Sequence, residues 1–111
     1  MKRGPDMATT PFDEVIHSPN RLRVCAMLRA TDAMEFSTVR DELGVSDSVL
    51  SKQIKILSEA GYVGVRKVSH NPRRRTWLYL TPDGSRALEG HLAELRRIAN
   101  VNVESEDSDT N

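Results

Sequence analysis

The sequence predicts an α+β fold, mainly helical: a helix-turn-helix, a β-hairpin after it, and a long helix near the C-terminus. Three observations carry this. Residues 46–60 read as a capped, two-faced helix preceded by a shorter one and a Gly-containing turn. After Gly61 the run Tyr62-Val63-Gly64-Val65-Arg66-Lys67-Val68 is β-branched and aromatic, as a strand is. Thr81-Pro82-Asp83 then supplies a cap, a first-position Pro and a first-turn acid.

The stretch 45–61 organises the rest. The Ser46 hydroxyl can accept from an unpaired first-turn N–H, Asp47 suits the positive end of the helix dipole, and Gly61 can enter the left-handed conformation that closes a helix. At about 100° per residue, Val49, Leu50, Ile54, Ile56, Leu57 and Ala60 form an apolar arc expected to be core. Ser48, Ser51, Lys52, Lys55 and Glu59 form the outer arc, with Gln53 nearer the apolar side. Short hydroxyls let a helix backbone approach a surface closely, and lysines there meet phosphate. A helix entering a DNA major groove needs both, although an ordinary solvated amphipathic helix shows the same two faces.

The chain has 111 residues, 38% hydrophobic and 29% charged, which fits one globular domain. No apolar run approaches the ~18 residues of a membrane span, and the N-terminal residues lack the apolar stretch of a signal peptide. One cysteine, Cys25, excludes an intramolecular disulfide and a Cys-rich zinc site, and reads as a small buried hydrophobe. These features point to an intracellular location, which a DNA-binding role for residues 46–60 would make cytoplasmic and nucleoid-associated. The formal net charge of zero hides a strong asymmetry. Residues 46–80 carry seven bases (Lys52, Lys55, Arg66, Lys67, Arg73, Arg74, Arg75) against two acids, whereas residues 12–45 are net negative. The end of the chain carries Glu104, Glu106, Asp107 and Asp109 with no base. Local field governs binding more than the total does.

Three segments follow from this: residues 1–11, polar with two prolines and expected to be disordered; residues 12–99, the folded domain; and residues 100–111, an acidic tail also expected to be disordered. Within the domain, residues 12–17 suggest a short helix. Ser18 as cap and Pro19 in the first turn start a second helix that runs to about Ala30. Residues 34–36 suggest a short strand, and Ser37 is expected to cap a helix over 38–43 that Gly44 breaks. Residues 69–72 are turn material between the strand at 62–68 and a second at 76–80. The hairpin's tip and descending arm carry Asn71 and three adjacent arginines, Arg73, Arg74 and Arg75, and the arginines' mutual repulsion favours an anionic neighbour. Arginine suits a narrow DNA minor groove, and equally a charged tip guards a strand edge. The last helix is expected to end near Ala99, with Leu88, Leu92, Leu95 and Ala99 forming a stripe suited to a helix-on-helix dimer contact.

Residues 16–24 (Ile-His-Ser-Pro-Asn-Arg-Leu-Arg-Val) resemble the opening of a compact class of bacterial and archaeal winged-helix transcription regulators. Residues 46–63, with Leu-Ser-Lys-Gln-Ile-Lys-Ile-Leu-Ser-Glu-Ala-Gly-Tyr-Val, resemble the recognition-helix signature shared by the MarR and ArsR groups. Residues 75–84 are similar to the strand-to-helix junction that ends the wing. The resemblance covers about residues 12–99. It implies a homodimeric regulator, a repressor being the expected kind, that binds a roughly palindromic double-stranded operator. Each recognition helix would enter a major groove, and the hairpin wing would lie on flanking backbone or minor groove. Residue by residue, it implies helix contacts from Ser48, Ser51, Lys52 and Lys55, and wing contacts from Arg73, Arg74 and Arg75. Ser37 would make a phosphate contact at a helix N-terminus.

The resemblance leaves room for a small-molecule inducer of unidentified chemistry, and no cofactor is expected. Metal-sensing relatives carry cysteine pairs before the recognition helix, which 38–43 lacks, or an Asp-x-His plus His-x-x-Glu set on the last helix. Only His91-Leu92-Ala93-Glu94 matches the second set, half a site on a helix expected to be exposed, while His17 and His70 stand alone in sequence. No nucleophile–base pair, Gly-rich phosphate loop or complete metal site marks an enzyme. The alternative function is a winged helix used as a protein-interaction or assembly module, its basic patch meeting an acidic protein surface.

Overall fold

A computed structural model describes residues 12–70 and 73–110, with side chains for 12–69 and 74–100. Residues 1–11, Asn71 and the side chain of Arg73 lie outside the described residues. In chain order the elements are α1 (Glu14–His17), α2 (Pro19–Arg29), β1 (Met34–Glu35), α3 (Phe36–Leu43) and α4 (Asp47–Glu59). β2 (Val63–His70), β3 (Arg73–Leu80) and α5 (Pro82–Thr110) complete the chain. The strands form one antiparallel sheet in the order β1-β3-β2.

Local chemistry sets each boundary. Asp13 Oδ1 accepts from the Val15 and Ile16 amides at 2.8 and 3.1 Å, so α1 begins one residue after its cap. Ser18 occupies the N-cap position of α2, but its side chain makes no capping bond. Pro19 has already removed one first-turn donor. The expected cap at Ser37 is displaced. The sheet pairing of Glu35 with Trp77 ends the extended backbone there, so α3 starts at Phe36 and Ser37 sits inside its first turn.

α3 ends at Gly44, with φ of 70°. Val45 and Gly44 return their amides to the Arg40 carbonyl at 3.3 and 2.9 Å. Ser46 caps α4 through the Val49 amide at 3.2 Å. At the far end Tyr62 donates to the Leu57 carbonyl and Gly61 to that of Ser58, both at 2.9 Å, with Gly61 at φ 82°. This is a Schellman closure, and it delivers the chain straight into β2.

Leu50, Ile54 and Leu57 of α4 are buried. Val49 is not, at 39% exposed. Its expected place in the core fails because it stands about 100° from Leu50, at the edge of the arc, where it is covered only in part. The core joins these residues to Ile16, Val24, Leu28 and Val39 from the helices and to Leu78 on the central strand.

The hairpin is longer than expected: the ladder runs from Val63 opposite Leu80 to His70 opposite Arg73. The arginines therefore belong to β3, and Arg74 and Arg75 point to opposite faces of the sheet. Thr81 ties the wing root to α5. Its amide donates to Tyr62 O at 3.0 Å, its hydroxyl donates to Gly61 O at 2.6 Å, and that hydroxyl accepts from the Gly84 amide at 2.9 Å.

α5 packs against α1 and α2 and continues to Thr110, past the expected end at Ala99 and through the stretch expected to be disordered. No Gly or Pro after Gly90 interrupts it. Among the described residues no helix is long and apolar enough to cross a membrane.

Candidate nucleic-acid interface

Ser48, Ser51, Lys52 and Lys55 all stand exposed on the outer face of α4. The turn that presents them is clamped. Arg40 on α3 pairs with Asp41 at 3.0 Å and with Asp47, the first residue of α4, at 2.8 Å. The pair holds the helix-turn-helix angle and neutralises the acid closest to the outer face. From the other side, Arg21 Nη1 donates to Gln53 Oε1 at 2.9 Å and its Nε to the Val15 carbonyl. Gln53 is thus an inward anchor, as its place on the helical wheel suggested.

A groove of about 450 Å³ separates α4 from the sheet. Ser51, Lys55 and Ser58 form its helical wall, Lys67 and Thr76 its wing wall, and Phe36, Ile54 and Leu78 its apolar lining. Lys55 and Lys67 thus edge the same cleft from two elements. A smaller recess brings Ser37 beside Arg74, Arg75 and Thr76, so the first turn of α3 and the wing arginines share one surface. Arg75 also lies 3.7 Å from Glu35 of β1, leaving Arg74 the less encumbered of the two. Sequence reasoning counted Lys67 and Arg66 alike as charge; only the strand register puts Lys67 on the groove side and Arg66 on the opposite face. Arg66 packs over the Tyr79 ring at 5.5 Å, a cation–π contact.

The last helix corrects two expectations. His91 is fully buried, not an exposed half of a metal pair. Its Nδ1 accepts from the Asp13 amide at 3.0 Å, and its Nε2 lies 3.3 Å from His17 Nδ1, so His17 is not isolated. With Nδ1 accepting, the proton resides on Nε2 and points at His17. Burial, then the neighbouring His17, push the His91 pKa down. Glu94 is instead engaged by Arg97. Among the described residues no three His, Cys, Asp or Glu side chains gather as a metal site. Cys25 is buried and its thiol is pushed up to about 12, chiefly by desolvation, which keeps it a protonated core residue.

The leucine stripe divides. Leu88 is fully buried in the chain's own core and Leu92 packs on that core. Leu95 is half-buried, while Ile98, at 43%, and Ala99 are exposed.

A short two-helix unit presenting an exposed polar helix, followed by a basic β-hairpin, is the architecture of a winged helix. The chain belongs to the winged helix DNA-binding domain family, whose model matches residues 20–99. The family is defined by DNA binding, not by catalysis. The chain is 25% identical over 86 residues to an uncharacterized protein of Methanocaldococcus jannaschii, covering 78% of this chain and 94% of that protein. Its fold is similar to a transcriptional regulator homologue from Pyrococcus horikoshii, with a TM-score of 0.75, 22% identity and coverage of 86% and 92% of the two chains. It is also similar to a transcriptional regulator of the MarR family from Enterococcus faecalis, with a TM-score of 0.73, 17% identity and coverage of 97% and 96%.

Proposed function

We propose that the protein is a homodimeric, sequence-specific transcriptional regulator that represses by occupying a roughly palindromic operator. α4 enters the major groove. Ser48, Ser51, Lys52 and Lys55 face the DNA, Arg74 and Arg75 follow the flanking backbone or minor groove, and Asn71 and Arg73 are further DNA contacts. Ser37 meets phosphate from the first turn of α3. The outer part of α5 (Leu95, Ile98 and Ala99) joins the two copies, with Leu92 at the margin and Leu88 committed to the core.

The observation that carries this reading is the shared cleft edged by Lys55 of α4 and Lys67 of the wing. A single phosphate backbone can be met there from both sides. Lysine and arginine supply affinity, while side chains at the base edges supply specificity.

Selection from a random duplex pool with the purified protein tests it. The expected product is an inverted repeat with half-sites about one helical turn apart. Its affinity should fall steeply with salt, by about 0.9 in log K per log salt for each phosphate neutralised. Absence of any enriched sequence, or a flat salt response, would overturn the reading and favour a protein-interaction module.

A further inference from the structure

Resting on that operator-binding reading, we propose that Val49 is a specificity residue that selects thymine through the thymine C5-methyl group. Val49 lies in the first turn of α4, the part of a recognition helix that meets base edges. It is one of three large hydrophobic side chains standing exposed among the described residues, with Val65 on the wing and Ile98 on α5. It is not part of the buried core of the described residues, and the cap bond on its amide goes to Ser46 Oγ and needs no particular side chain. A β-branched residue is a mediocre choice for an exposed helical position, so stability alone does not favour Val here.

Its neighbours cannot make the same selection. Asp47 is held by Arg40 at 2.8 Å, and the Ser48 hydroxyl is 3.2 Å from that of Ser46. A hydroxyl both donates and accepts and so discriminates bases weakly. Thymine alone among the bases offers an apolar group in the major groove, and an aliphatic side chain is its natural contact. Lys52 lies three residues on, adjacent on the same face, and suits the guanine O6 and N7 acceptors. Three residues advance about 4.5 Å along the helix, against about 3.4 Å between base pairs. The half-site should therefore hold a thymine within about one or two base pairs of a guanine.

Deoxyuridine tests this because it removes the methyl group and nothing else. Each thymine of the selected half-site is replaced in turn by deoxyuridine and the Kd measured for the wild type and for Val49→Ala. The expected result is one thymine whose replacement weakens wild-type binding about fourfold, the equivalent of about 0.8 kcal/mol for one buried methyl-sized group. Val49→Ala should bind the thymine and deoxyuridine duplexes equally, with an unchanged far-UV circular dichroism spectrum. Wild-type binding that is indifferent to deoxyuridine at every position, or a Val49→Ala protein that keeps the difference, overturns the proposal while leaving operator binding intact. Failure to select any sequence overturns both.

Discussion

His91 Nε2 lies 3.3 Å from His17 Nδ1, and the other His91 nitrogen accepts the Asp13 amide at 3.0 Å. Protonating His91 would turn that acceptor into a donor facing a donor. Asp13 and Glu14 partly oppose the downward shift that burial and His17 impose. The folded-state pKa of His91 is depressed below the ordinary value of 6.5, so the unfolded chain binds the proton first. Stability is then complete above that ordinary value and is lost as pH falls below it, by at most about 1.4 kcal/mol per pH unit. Thermal unfolding between pH 7.5 and 5.5 should show a falling Tm for the wild type. His91→Gln, less stable throughout, should show a flatter profile, and equal slopes would refute the assignment to His91.

Tyr62 donates to Asp13 Oδ2 at 2.6 Å, joining the start of the wing to the cap of α1. Its phenol is pushed up to about 12, first by burial and then by that bond, and remains a donor. Tyr62→Phe strands a half-buried carboxylate oxygen, with an expected loss of about 1–2 kcal/mol in urea unfolding. An unchanged midpoint would mean that water replaces the phenol freely.

A Cβ at Gly84 would lie 2.1 Å from the carbonyl oxygen of Tyr62. Backbone cannot step aside as a side-chain tip can. Gly84→Ala should therefore lower stability by about 1–3 kcal/mol and loosen the junction between wing and α5. Hydrogen exchange at the Thr81 amide, which donates to Tyr62 O, reports that junction. Retained protection there would argue that the helix start has simply shifted.

Lys55 and Lys67 edge the same groove from α4 and β2. If both meet phosphate, Lys55→Ala and Lys67→Ala should each weaken binding of all sequences alike and reduce the salt slope by about 1. A loss confined to one base position would make the residue a base reader instead.

Ile98 is 43% exposed near the outer end of the α5 stripe. Ile98→Glu should shift sedimentation from dimer to monomer at micromolar concentration and weaken operator binding, with the secondary structure retained. A dimer that survives the substitution places the contact elsewhere.

The sequence by itself determined the local structure of the recognition unit. Ser46, Gly44 and Gly61 act through bonds to residues within five positions, and the apolar spacing of Leu50, Ile54 and Leu57 fixes which face is core. Such features are legible because they depend on neighbours along the chain. Cap competition was less so. Ser37 lost its predicted role because pairing of Glu35 with Trp77, far away in sequence, set where α3 begins. Only the tertiary structure decided the rest. It buried His91 and joined it to His17 and Asp13, divided the leucine stripe between core and surface, left Val49 exposed, and set Lys55 opposite Lys67. Each of these depends on which element covers which face, and burial at the edge of a helical arc follows from the partner's position rather than from periodicity.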